Sequence, residues 1–280
     1  MFTQKSARLC RRALPIVSGL CFVALLLLGA SASAGADSQA DRGARPTIVL
    51  VHGDWADASS WSSVIKRLQS KGFTVFAPPN LLRGPVTDAP YLAGYLKSIS
   101  GPIVLVAHSY GGFVATNAAT GNDNIKALVY IDAFAPDEGE TAGELVARGH
   151  SCVDANALSQ VPYDGGVDLY LRWDAYRTYP GFSECFANGV DRNEAAVLAA
   201  MQRPAAPAQF AEPSGPPAWK TIPSWSLIGT QDRVIPRALQ EEMSARAGAQ
   251  VTRVKAGHLS LITHSGEVTK VILAAVDAAG

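Results

Sequence analysis

The 280-residue chain is 48% apolar and 17% charged, enough to bury a sizeable core and too rich in apolar residues for a disordered segment. Its 24 basic and 24 acidic side chains cancel, which leaves no basic face to gather phosphates and argues against a nucleic-acid partner. A small, uncharged molecule suits this balance better.

Taken in chain order, the first 36 residues do not belong to the fold. Lys5, Arg8, Arg11 and Arg12 precede an apolar stretch over 16–28, and small residues follow as far as Ala36. That order is the plan of a secretory signal, with cleavage fitting after Ala34 or Ala36. The Arg11-Arg12 pair matches a twin-arginine signal only in part. The apolar run falls short of the roughly 20 residues that a spanning helix needs. We therefore expect residues 37–280 to form one exported domain, periplasmic or extracellular, with no stable membrane association once the signal is gone. Cys10 and Cys21 leave with the signal. The remaining pair, Cys152 and Cys185, is expected to form one disulfide in an oxidising compartment. The 33-residue loop it closes is worth roughly 3 to 4 kcal/mol in the chain-entropy model.

From residue 45 onward, β-rich runs alternate with helical stretches. Strands are expected over 47–51, 73–77, 102–107, 125–133, 224–228 and 250–254, the first as a continuous apolar run typical of a strand buried on both faces. Helices are expected over 59–70, 88–99, 111–119, 236–247 and 261–278. Trp61, Val64, Ile65 and Leu68 set the helical spacing of the first, and Gly72 stops it. Such alternation builds a mostly parallel sheet of about six strands with helices on both faces, a three-layer α/β fold. Residues 136–219 break the rhythm. They are rich in Pro, Gly and aromatics, contain no continuous apolar strand, and read as an insertion that sits above the sheet as a lid. Tyr163, Tyr170, Trp173, Tyr176, Tyr179 and Phe182 give that segment apolar walls suited to a neutral ligand of modest size.

The chemistry concentrates at strand ends. Ala107-His108-Ser109-Tyr110-Gly111-Gly112 follows the third strand and sets a serine on a tight strand-to-helix turn, at the positive end of the next helix. An uncharged hydroxyl needs a base. Among five histidines, His258 lies just past the last strand, where it can overhang the serine. His264 is the rival, His150 falls in the insertion, and His52 and His108 read as packing residues. A carboxylate must then fix the base's tautomer. Asp232 follows the penultimate strand, and Asp132, after the fourth, is the alternative. Charge on a carbonyl oxygen requires aimed donors, for which the backbone N–H groups of Asp54 and Tyr110 are placed. The Asp54 side chain is a puzzle, because a carboxylate beside a developing oxyanion is unfavourable. Its other reading is a cap for the helix that follows. No metal cluster and no phosphate-binding glycine loop is visible in the sequence, so no cofactor is expected.

The motifs Leu50-Val51-His52-Gly53, Trp61, the Ser109 hexapeptide, Gly229-Thr230-Gln231-Asp232 and Gly257-His258, in the order Ser, Asp, His, resemble the α/β-hydrolase superfamily. The resemblance covers about residues 46–280, and Ala107 departs slightly from the usual glycine. Within the superfamily, the compact layout looks like the plant methylesterase and hydroxynitrile lyase branch and its bacterial relatives. It implies six core strands and a serine hydrolase acting on a small ester. Leu259 stands where lyases of that branch carry a lysine, which argues against lyase activity. Two alternatives stay open: a ligand-binding or single-turnover receptor on the same fold, and a cofactor-free perhydrolase or haloperoxidase activity.

Overall fold

The computed structural model describes residues 45–172 and 181–279. The expected signal segment and Trp173, Tyr176 and Tyr179 lie outside them. In chain order the elements are β1 (Thr47–Val51), α1 (Ser62–Gln69), β2 (Val75–Phe76), α2 (Pro85–Lys97), β3 (Ile103–Ser109), α3 (Tyr110–Ala118), β4 (Ile125–Ala133), α4 (Ala142–Gly149), β5 (Leu158–Tyr163) and β6 (Gly166–Leu171). They continue with a π turn (Phe182–Phe186), α5 (Arg192–Ala200), α6 (Ala208–Ala211), β7 (Ser224–Gly229), α7 (Arg237–Arg246), β8 (Gln250–Val254), α8 (Ser260–Thr263) and α9 (Ser265–Ala279).

Six strands form one sheet in the order β2-β1-β3-β4-β7-β8, and every pairing in it is parallel. The continuous apolar runs explain this. All seven residues of β3 and all six of β7 are buried, as strands covered by helices on both faces require. Helix α9 buries Val268, Val271, Ile272, Ala275 and Val276, a helical period that lays one stripe on the sheet. It packs on β3, β4 and β7 and against α1, while α2 and α3 pack together.

Three elements differ from the sequence reading. Strand β2 pairs over only two residues instead of five. It is an edge strand, and Phe73 is spent closing the end of α1, its N–H donating to the Leu68 carbonyl. Helix α2 starts at Pro85, three residues earlier than expected, because proline suits the first turn of a helix. The last helix is broken at His264 into α8 and α9.

The insertion between β4 and β7 has more structure than its sequence suggested. Helix α4 opens with a capping box between Thr141 and Glu144, and β5 and β6 form an antiparallel hairpin around Asp164-Gly165. A disulfide joins Cys152, after α4, to Cys185 in the π turn, with Cα atoms 5.8 Å apart. Among the described residues no helix is long and apolar enough to cross a membrane.

Candidate active site

Ser109 is the last residue of β3 and immediately precedes α3. Its backbone adopts φ 53° and ψ −129°, a strained conformation for a residue with a side chain. The buried strand on one side and the small-residue start of α3 on the other hold that bend in place. The Ser109 hydroxyl lies 2.9 Å from Nε2 of His258, which is fully buried on the turn after β8. His258 Nδ1 lies 2.8 Å from Oδ2 of Asp232, on the turn after β7. Asp232 is itself anchored. Its Oδ1 accepts the N–H groups of Val234 and Ile235, and its Oδ2 accepts Gln240 Nε2 at 2.8 Å.

Burial sets the electrostatics. It lowers the His258 pKa to about 3, so the resting imidazole is neutral and able to accept a proton. It also raises the Asp232 pKa, against the opposing pull of the Ile235 and Val234 N–H groups and the Gln240 amide.

The alternatives are placed elsewhere. His264 sits at the break between α8 and α9, against the Thr263 hydroxyl. His150 ends α4 in the left-handed region. His108 is buried, with Nε2 2.9 Å from the His258 carbonyl oxygen and its ring 4.6 Å from the His258 ring. Asp132 makes no hydrogen bond to His258 among the described residues. Its Oδ1 accepts Gly229 N–H at 2.6 Å and its Oδ2 accepts Ser260 N–H at 3.3 Å. It thereby ties the end of β7, which leads to Asp232, to the segment just past His258.

A second brace comes from the insertion. Asn188 Nδ2 donates to the Gln231 carbonyl at 2.8 Å, and its Oδ1 accepts His258 N–H at 3.4 Å. A Cβ on Gly257 would stand 2.1 Å from the Asn188 carbonyl oxygen, so only glycine permits this approach. The turns that carry Asp232 and His258 are therefore held from the core by Asp132 and from the insertion by Asn188. Sequence reasoning missed Asn188 and Gln240, since an isolated polar residue in a loop or helix carries no pattern.

The loop after β1 closes the site. A Cβ on Gly53 would lie 3.1 Å from Ser109 Oγ, so the Gly53–Asp54 peptide runs directly against the serine. His52 fixes that peptide. Asn80 N–H donates to its Nε2, which leaves Nδ1 to donate to the Gly53 carbonyl at 2.9 Å. The N–H of Asp54, on the other side of the same peptide plane, is turned away from His52. Tyr110 opens α3, so its N–H is one of the free donors of a helix start. The Asp54 side chain is 6% exposed, and burial together with the Asp88 charge raises its pKa well above the carboxylate range. It does not cap the following helical turn, a role filled by Asp57. Phe186 covers the site from the insertion, its ring 5.2 Å from His258, while Trp55 packs edge-on against Phe186 and donates to the Leu169 carbonyl. Among the described residues no group of three or more His, Cys, Asp or Glu side chains could hold a metal.

A buried serine, imidazole and carboxylate in series on the turns after β3, β8 and β7 agree with a family comparison. The alpha/beta hydrolase family model matches residues 48–271. The chain belongs to the alpha/beta hydrolase family.

Within the family, the carbendazim hydrolyzing esterase of Nocardioides sp. (strain SG-4G) is 31% identical over 113 residues, 36% of this chain and 47% of that protein. The match thus spans less than half of that relative's length. A pyrethroid hydrolase from Sphingobium faniae JZ-2 superposes with a TM-score of 0.66 at 19% identity, over 83% of this chain and 98% of its own. A methylesterase from Arabidopsis superposes with a TM-score of 0.65 at 17% identity, over 83% and 99%. These two share the fold, and the second belongs to the branch that the sequence motifs resemble.

Proposed function

We propose that the chain is an exported serine esterase that cleaves a small, largely neutral carboxylic ester through an acyl-enzyme on Ser109. The observation that carries this reading is the buried relay in which Ser109 Oγ, His258 and Asp232 are linked at 2.9 and 2.8 Å. His258 takes the hydroxyl proton as Ser109 attacks the ester carbonyl, and Asp232 stabilises the imidazolium. The N–H groups of Asp54 and Tyr110 receive the negative charge on the carbonyl oxygen. His258 returns the proton to the departing alcohol, leaving an acyl-serine. Water then enters, gives a proton to the same imidazole and releases the acid. The relatives named above as esterase, hydrolase and methylesterase support ester cleavage. Residues 1–36 as a removable signal and the Cys152–Cys185 bond support export.

A fluorophosphonate probe and a series of p-nitrophenyl esters of increasing acyl length test the reading. The wild type should label at Ser109 and turn over, whereas Ser109→Ala should not label and His258→Ala should lose nearly all turnover while remaining folded. Labelling without multiple turnover would favour a receptor on the same fold. Failure of Ser109 to label would remove the enzyme reading.

A further inference from the structure

Two strips of the insertion grip the turn that carries Asp232. The first follows α4. Cys152 N–H donates to the Arg233 carbonyl at 2.9 Å, and the Ser151 hydroxyl donates to the Val234 carbonyl at 2.6 Å. The second strip is the π turn and the residues just past it. The Glu184 carbonyl accepts Arg233 Nη1 at 3.0 Å. The Asn188 side chain spans from the Gln231 carbonyl, at 2.8 Å, to the His258 N–H, at 3.4 Å. Residues 231–234 are thus held by both strips, and the Cys152–Cys185 disulfide ties the strips to each other. Hydrogen bonds near the surface exchange with water and hold little alone, so the covalent tie is what keeps both strips facing the turn. The bond is also within reach of solvent. Cys152 is half-buried, and with Ser151, Asp154, Asp232, Arg233 and Pro236 it lines an open cavity of about 470 Å³, whereas Cys185 is fully buried.

We propose that the Cys152–Cys185 disulfide is a redox latch on the Asp232 turn. Closed, it keeps Asp232 aligned with His258; opened to two thiols, it lets the turn drift and lowers activity while the sheet stays folded. This rests on the esterase reading above. A dithiol entering the cavity attacks the Cys152 sulfur, the S–S bond breaks, and the Cys185 sulfur leaves and takes a proton. The second thiol of the reductant then closes on its own sulfur, releases Cys152 as a thiol and departs as a cyclic disulfide. Two electrons and two protons pass to the protein. The relay is sensitive because Asp232 stands on a turn, and a displacement of about 1 Å in such a constellation costs roughly a hundredfold in rate. The loss is partial, since Asp132 still holds Gly229 at the start of that turn. A chain with this latch is slow while its cysteines are reduced and gains rate in a compartment where disulfides persist.

Treating the folded protein with dithiothreitol, with free thiols counted by titration, tests this. With p-nitrophenyl acetate, reduction should lower kcat about 10- to 100-fold and change KM less than about threefold. Far-ultraviolet circular dichroism should not change, and oxidised glutathione should restore the rate. The Cys152→Ser/Cys185→Ser double variant should match the reduced wild type and ignore both reagents. The decisive protein is Asp232→Asn, read by its rate of fluorophosphonate labelling. That rate should change less than about threefold on reduction, because the carboxylate that the latch aligns is already gone. A fall by the same factor as in the wild type would mean that the bond only shapes the pocket, and overturns the proposal. So do equal rates for oxidised and reduced wild type, a sheet that melts on reduction, or a bond that stays closed in dithiothreitol. Labelling of Ser109 also keeps the two readings apart. An oxidised protein that does not label overturns both, whereas one that labels equally fast before and after reduction overturns the latch alone.

Discussion

Replacing Gly53 with alanine sets a methyl group 2.5 Å from Ser109 Cβ, 3.0 Å from the His108 carbonyl oxygen and 3.1 Å from Ser109 Oγ. The first approach is shorter than ordinary van der Waals contact by about 1 Å. Ser109 cannot yield, because it is clamped between a fully buried strand and a helix start, and the His108 carbonyl is part of the same backbone. The loop after β1 must therefore retreat, and the Gly53–Asp54 peptide retreats with it. On the proposed mechanism that peptide carries an oxyanion donor, whose loss lowers kcat by about 10²- to 10³-fold, or roughly 3 to 4 kcal/mol. Overpacking of this kind removes about 1 to 3 kcal/mol of stability. With p-nitrophenyl acetate and thermal melting measured on the same preparation, Gly53→Ala should remain folded with kcat depressed a hundredfold or more and KM altered far less. A Gly53→Ala protein that keeps a third of the wild-type kcat refutes the placement of the donor.

The buried histidines make a pH prediction. Burial lowers the His52 pKa to about 4, so between 6.5 and 4 the unfolded chain binds a proton there that the folded chain refuses. His52 therefore destabilises the fold progressively as pH falls through that window. The stability gap between wild type and His52→Gln should narrow by about 3 kcal/mol from pH 7 to pH 4. Taking the difference removes the buried carboxyls, whose raised pKa values act in the opposite sense. A gap in urea denaturation that is constant with pH contradicts the argument. Asp232→Asn should lower kcat more than Asp132→Asn, which should act mainly on melting temperature because the amide keeps only one of the two oxygens that accept the Gly229 and Ser260 N–H groups. The reverse ranking in steady-state assays would make Asp132 the acid. Reducing the Cys152–Cys185 bond releases a 33-residue loop worth roughly 4 kcal/mol, and should expose the insertion to proteolysis before the sheet. Identical digestion patterns with and without reductant would count against that order.

The sheet was legible because a parallel strand buried on both faces writes itself as an unbroken apolar run, as at Ile103–Ser109. The insertion was less so. Its hairpin is half exposed, and Pro162 interrupts the pattern. The readable sign was Asp164-Gly165, a two-residue turn with Gly165 at φ 91°. Ser109, Asp232 and His258 stand at strand ends within recognisable motifs, so their order in the chain pointed to them. Asn188 and Gln240 have no such frame. Each acts through a partner that only the tertiary fold brings near, such as Gln231, 43 residues away from Asn188. A single polar residue has no period to betray it. The Asp54 puzzle likewise needed the structure, since burial, with the Asp88 charge adding to it, is what raises the pKa of that carboxyl.

Asn188 makes the upper segment more than a replaceable cover. It stands three residues beyond Cys185, which is bonded across to Cys152, and it leans on both turns that carry Asp232 and His258. A chimera that grafts the corresponding region of another hydrolase onto this sheet exchanges the pocket wall and, with it, one of the two supports of the turns that carry Asp232 and His258. Swaps meant to change substrate range should therefore splice outside Asn188, or carry an asparagine and a facing glycine with them.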